Sequence, residues 1–226
     1  MADANNISTN TIGECWTNSI KHIMHNGIEH YDEDVKIKEI LGLNVEIQIP
    51  KLNDEIIEEF GDKIVINRTL EKFSKGVSMP DRPFTYGACI YDKNGIDQFE
   101  WLADRLKLKK ETKSATICLL TPGSKDDNLP CLTTIDAKIR NNTLILQFFF
   151  RSQNIFGRQY ANLLALAKLQ YDLAQRCSVK VGSLKGYVAS AHIYEYDFEQ
   201  ANLVCSNKKI VIKDKYYLQG PKSIRK

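Results

Sequence analysis

Cys131 follows Leu129-Pro130 and precedes an apolar segment. Pro130 fixes its own φ and offers no N–H, so a stiff turn presents the thiol instead of burying it mid-strand. A thiol so placed is a candidate nucleophile. The bland alternative is a small buried hydrophobe, and cysteines at 15, 89, 118, 177 and 205 form that background. Arg151 and Ser152 close the apolar run Leu144–Phe150. Arginine there is a permanent cation whose planar fork suits phosphate oxygens, with a serine hydroxyl beside it. The competing reading is a strand-end arginine reaching for solvent. Asn162 opens a long apolar helix, and His192 and Tyr194 stand two apart in a strand-like run. Residues two apart share a strand face. Imidazole and phenol therefore point together, toward each other, backbone groups or a ligand hydroxyl.

The elements that must carry these groups are legible in the periodicity. Glu14–Gly27 reads as a helix, with Cys15, Ile20, Ile23 and Met24 near one face and Gly27 as its stop. Leu41–Ile49 alternates with period two up to Pro50 and is a strand. Asp54 to about Gly76 is helical with a break near Gly61, and Ile96 to about Lys109 is an amphipathic helix. Thr116–Leu120 is a strand entering the loop at Pro122-Gly123. Leu132–Ile139 and Thr143–Arg151 form a hairpin across Asn141-Asn142. Asn162–Cys177 is the longest apolar helix, Leu184–Tyr194 a strand, and Ile210–Tyr217 a last short strand. Strands cluster centrally between helices without a βαβ rhythm. The fold class is α+β, a twisted mixed sheet flanked by helices, in a single domain over 1–226.

Hydrophobic residues at 43% and charged residues at 26% are the balance of an ordinary globular chain. A net charge of +3, from 31 basic and 28 acidic residues, gives no ground for a nucleic-acid or membrane surface. The expected partner is thus neither nucleic acid nor membrane. No C-x-x-C pair occurs, no metal-ligand set is read, and Met1-Ala2-Asp3-Ala4-Asn5 lacks an apolar signal region. Free thiols in a reducing cytoplasm are the expectation.

Taken in order, the motifs are specific. Leu-Pro-Cys, an apolar hairpin, Arg-Ser-x-Asn-x-Phe-Gly, an asparagine, then Ser-Ala-His-Ile-Tyr resemble the thymidylate synthase superfamily. The resemblance runs from Tyr86-Gly87 and Ile96-Asp97-Gln98 to about Gln200, and is nearest the short archaeal-type branch. It implies that Cys131 adds to C6 of a pyrimidine and that Tyr86 assists proton removal at C5. It implies that Arg151 and Ser152 bind phosphate, that Asn162 reads the O4 and N3 edge, and that His192 and Tyr194 hold the sugar 3′-hydroxyl. A homodimer joined through sheet faces, a pyrimidine nucleoside monophosphate substrate and 5,10-methylene-tetrahydrofolate or a related methylene-pterin follow from the same resemblance. Adding a thiolate at C6 makes C5 an enolate-like carbon, which divides one hard step into two easier ones.

The chain also departs from the family. Lys113 and Ser114 stand where two arginines normally reach the neighbour's phosphate, so one charge survives and the bidentate fork is lost. Asn154 replaces an aspartate that contacts the pterin, and Glu71 is the nearest candidate for the family's general-base glutamate. The chain ends Gly220-Pro221-Lys222-Ser223-Ile224-Arg225-Lys226, unlike the family's apolar closing tail. Water reaching the site would turn methylation into hydroxymethylation. The first expectation is dUMP to dTMP, since Asn162 leans toward uracil. Hydroxymethylation of C5 of CMP, dCMP or dUMP is the alternative, and a non-catalytic nucleotide-binding relative ranks third.

Overall fold

Alternating apolar residues build an eight-stranded mixed sheet in the computed structural model, which describes residues 5–79, 85–123 and 129–206. The chain order is β1 (Asn6–Thr9), α1 (Ile12–Asn26), β2 (Ile28–Asp32), β3 (Val35–Ile47), α2 (Glu55–Phe60) and α3 (Lys63–Phe73). Then come α4 (Tyr86–Tyr91), α5 (Gln98–Leu108), β4 (Thr116–Cys118), β5 (Leu132–Arg140) and β6 (Thr143–Phe150). The described part closes with β7 (Gln153–Asn154), α6 (Ile155–Arg176), β8 (Lys180–Tyr194) and α7 (Phe198–Cys205). In space the strands run β1-β3-β8-β6-β5-β4, with β2 also on β3 and β7 also on β8. β1 with β3, β6 with β8 and β7 with β8 are parallel pairs; the others are antiparallel. The α+β class is as expected.

Local chemistry explains the elements. Thr11 and Glu14 form a reciprocal capping box at the start of α1. Asp54 and Asp62 each accept two N–H groups at the starts of α2 and α3, so the helical stretch breaks at Gly61 as expected. Asn141 and Asn142 have φ of 49° and 57°, the pair of positive values that suits a two-residue hairpin turn. Gly186 is required by its neighbour across the sheet, because a Cβ there would stand 2.0 Å from the Phe148 ring.

Two boundaries that bear on the site differ from the sequence reading. β3 begins at Val35, not Leu41, because its first half pairs with both β2 and β8. α6 begins at Ile155, not Asn162: Asn154 Oδ1 accepts the Gly157 N–H at 2.9 Å and starts the helix seven residues early. Asn162 therefore lies inside the helix. β1, β2, α4 and α7 are elements that periodicity did not reveal, and Ile210–Tyr217 lies outside the described residues.

The core sits between the sheet and α1 and α6. Trp16 is fully buried, and its Nε1–H donates to the carbonyls of Ile155 and Phe156, both at 3.1 Å. Its ring lies 4.6 Å from Tyr160. Fully buried Gln170 donates to the carbonyls of Leu144 (2.9 Å), Gly182 and Ser183 (both 3.1 Å), where the β6–β8 register slips. These bonds fasten α6 over the seam between two parallel strands. The other sheet face leaves Leu41, Phe149 and Tyr187 exposed, the last two stacked at 5.3 Å. A depression of about 600 Å³ on that face is lined by Ser8, Asn44, Glu46, Gln147, Lys185 and Tyr187, among others.

Candidate active site

Cys131 is the last residue before β5, half-buried and packed against the core. Its surroundings are tied to the end of β6. The Arg151 N–H donates to the Cys131 carbonyl at 2.8 Å. The Arg151 guanidinium donates to the Pro130 carbonyl (3.1 Å) and the Leu129 carbonyl (2.9 Å). Those bonds use two of the fork's five N–H groups. Tyr86, the first residue of α4, is buried, and its phenol oxygen accepts the Leu132 N–H at 3.3 Å. The phenol thus sits one residue along from the thiol. Its ring packs on Phe73 at 4.7 Å, and the Lys72 ammonium lies 4.3 Å from the ring centre.

The second half of the site is the end of β8. His192 is 7% exposed and pairs with Glu39 of β3 on one side and Asn154 of β7 on the other. Tyr194 meets it edge-on at 5.0 Å and stacks on Tyr196 at 5.1 Å. The Tyr194 hydroxyl donates to Asp32 Oδ2 at 2.7 Å. Burial, then the bond to Asp32, pushes the Tyr194 phenol well above its ordinary range; a negative charge on Cys131 adds to the push. The thiol and the phenol are therefore within electrostatic reach of one another. Burial holds the His192 imidazole below its usual value, so it is neutral at neutral pH. Ser190 hydrogen-bonds the Glu39 carboxylate at 2.5 Å, which fixes the same stretch of β8 to β3.

The remaining expected residues fall in different places. Ser152 is half-buried between Arg151 and β7. Asn154 is the α6 cap, a structural duty the sequence did not announce. Asn162 is half-buried, one helical turn beyond Arg158, which is within electrostatic reach of Tyr196. Lys113 is exposed at the far end of the sheet edge. Thr116 pairs with Asp136 and Cys118 with Thr134, so the chain before β4 runs away from Cys131 by about 20 Å or more. Lys113 does not join its own chain's site. Glu71 is exposed on α3, while its neighbour Lys72 covers Tyr86. Cys15 is fully buried and pushed up to about 12 by desolvation. Burial also raises Cys89, Cys177 and Cys205. Asp32, Lys72, Arg158 and Tyr196 were not singled out from the sequence. Asp32 sits on β2, whose residues are all exposed and carry no burial pattern. Among the described residues no helix is long and apolar enough to cross a membrane.

With this geometry in view, comparison with known proteins agrees on one family. The sequence model of thymidylate synthase matches residues 16–212. A protein of Methanothermobacter marburgensis named "Putative thymidylate synthase" is 30% identical over 218 residues, covering 89% of this chain and 98% of that one. One of the same name from Methanococcoides burtonii is 32% identical over 202 residues, covering 86% and 91%. The thymidylate synthase of Mycoplasma pneumoniae is 26% identical over 210 residues, covering 85% and 71%. The matched span takes in Cys131, Arg151, Asn162, His192 and Tyr194 together, and the chain belongs to the thymidylate synthase family of enzymes.

Proposed function

We propose that the chain attaches a one-carbon unit to C5 of a pyrimidine nucleoside 5′-monophosphate through a covalent bond between Cys131 and C6. The observation that carries this reading is the junction of Arg151 with the Leu129–Cys131 backbone, which holds a thiol, a cation and the Tyr86 phenol in one place. The Cys131 thiolate adds to C6, and the displaced electron pair moves to C5 and O4. Unused N–H groups of Arg151, with Ser152, take the phosphate. Asn162 pairs with the base edge, and the side-chain amide favours uracil. Tyr86, beside Cys131, assists removal of the C5 proton. His192 and Tyr194 accept the sugar hydroxyl.

The carbon donor of this reading is 5,10-methylene-tetrahydrofolate or a related methylene-pterin, which supplies carbon at the methylene level. Asn154 fits the pterin role of its position less well than the family's aspartate. Its Oδ1 already accepts the Gly157 N–H, and its amide brings two donors where the family's aspartate brings acceptors only. That same observation favours hydroxymethylation as the second reading, beside methylation of dUMP to dTMP, because a loosely held donor leaves the activated carbon open to water. A homodimer through the open sheet face belongs to the proposal, supported by exposed Leu41, Phe149 and Tyr187. In that arrangement Lys113 serves the partner's site.

Incubating the protein with dUMP, dCMP, UMP or CMP plus methylene-tetrahydrofolate, followed by product mass, tests the reading. A gain of CH2 means methylation and a gain of CH2O hydroxymethylation. No gain on any nucleotide, with no exchange of the C5 hydrogen, would sink it.

A further inference from the structure

The sugar end of the site has an unusual balance of donors and acceptors. The only proton of the Tyr194 hydroxyl is donated to Asp32 Oδ2 at 2.7 Å, so toward any ligand the phenol oxygen can only accept. His192 is buried, and burial holds its imidazole below the usual value, in the neutral form. Neutral imidazole has one N–H, so its second nitrogen also carries a lone pair. Asp32 is a carboxylate at the tip of the tight β2–β3 hairpin, exposed, and only one of its two oxygens takes the Tyr194 hydroxyl in this bond. The edge is made of acceptors, one of them negatively charged. A single hydroxyl brings one proton to it.

We propose that Asp32 reads a second sugar hydroxyl beside the one that His192 and Tyr194 take, so that the preferred substrate carries ribose and not 2′-deoxyribose. The inference rests on the nucleotide reading of the Cys131 site and names its sugar, turning the substrate from dUMP toward UMP or CMP. The Tyr194 and Asp32 oxygens stand 2.7 Å apart, near the separation of the two oxygens of a vicinal diol. Such a diol donates one proton to the phenol or imidazole and one to the carboxylate. The second bond is charge-assisted and has no counterpart in a deoxynucleotide. The three acidic residues Asp32, Glu33 and Asp34 at this tip also repel phosphate, which keeps the nucleotide's anionic end toward Arg151.

Calorimetric titration of the full chain with UMP and dUMP tests this. Wild type should bind UMP about tenfold more tightly, the worth of one charge-assisted hydrogen bond at a partly exposed site. Asp32→Ala should remove the difference, chiefly by weakening UMP. Asp32 is exposed at a hairpin tip, so this change leaves the core intact. Tyr194→Phe should weaken both nucleotides but keep the preference for UMP, since the carboxylate remains. Equal or tighter binding of dUMP by wild type overturns the proposal. So does an Asp32→Ala variant that loses both nucleotides equally, because Asp32 would then only hold Tyr194. If no pyrimidine nucleotide binds, or Arg151→Ala changes nothing, the nucleotide reading fails and this inference falls with it. Binding without ribose preference overturns this inference alone.

Discussion

Arg151 closes three consecutive carbonyls in front of β5: its N–H takes Cys131, its Nε takes Pro130 and its terminal nitrogen takes Leu129. The residue expected to hold phosphate is also the clamp on the loop that presents Cys131. Arg151→Ala should weaken nucleotide binding by about 1.5–3 kcal/mol, the range for hydrogen bonds to charged groups. Arg151→Lys keeps the charge but loses the fork, and should recover only part of that loss. Calorimetry on both variants checks this; wild-type affinity in Arg151→Lys would show that the fork is idle.

Cys131 should be the one cysteine on which chemistry depends. Cys131→Ala is expected to abolish exchange of the substrate's C5 hydrogen into water. Cys15, fully buried and shifted to about 12, should stay unalkylated by iodoacetamide in the native state. Peptide mass mapping after labelling decides between them, and normal exchange by Cys131→Ala removes the nucleophile assignment.

Asn154 separates a structural duty from a chemical one. Asn154→Ala removes the α6 cap and should cost about 1 kcal/mol of stability. Asn154→Asp keeps a capping oxygen, so its melting temperature should match wild type. It also supplies the acceptor a pterin requires, and should tighten the carbon donor. A rise in KM for methylene-tetrahydrofolate in Asn154→Asp is the opposite outcome.

Asn162 should set base choice. A side-chain amide can donate to O4 and accept from N3–H of uracil, whereas cytosine offers an amine and a bare nitrogen. An unpaired buried group costs about 1–3 kcal/mol. Uracil nucleotides should be preferred, and Asn162→Asp should move preference toward cytosine. The ratio of kcat/KM on UMP and CMP in both proteins measures it. A wild type that favours cytosine nucleotides assigns base choice elsewhere.

His192 gives a pH signature. Burial lowers its folded value below the ordinary 6.5. Between the two values the unfolded chain binds the extra proton, so stability rises with pH there. It is lost as pH falls through about 6.5 toward the folded value. His192→Gln should flatten that slope in thermal melts between about pH 7 and pH 5. An unchanged slope would place the titration in another group.

Much of this was legible in the sequence for physical reasons that differ by residue. Buried strands such as Leu144–Phe150 announce themselves by side-chain chemistry, and the Asn141-Asn142 turn by its tolerance of positive φ. The start of α6 was hidden because its cap is an asparagine inside a motif that reads as chemistry, and Gly157 mimics a loop. Asp32 was hidden for another reason. Its strand is exposed on both faces, so no period marks it, and its partner Tyr194 is remote in the chain. Lys113 stands far from its own chain's thiol, the placement expected of a residue whose family counterpart reaches the neighbour's phosphate.

The central pairing of β3 with β8 also dictates the order of assembly. Asp32 and Tyr194 are 162 positions apart, and Trp16 and Ile155 are 139 apart. Contacts of such separation carry the loop-closure cost that slows folding. On the ribosome, α1, β3 and the Cys131 loop emerge before the strand that joins them. Until β8 arrives, β3 and β6 each present an unpaired edge, open to other chains. The Cys131 loop is thus made early and its surroundings late, which ties the protein's yield in a cell to how fast β8 is delivered.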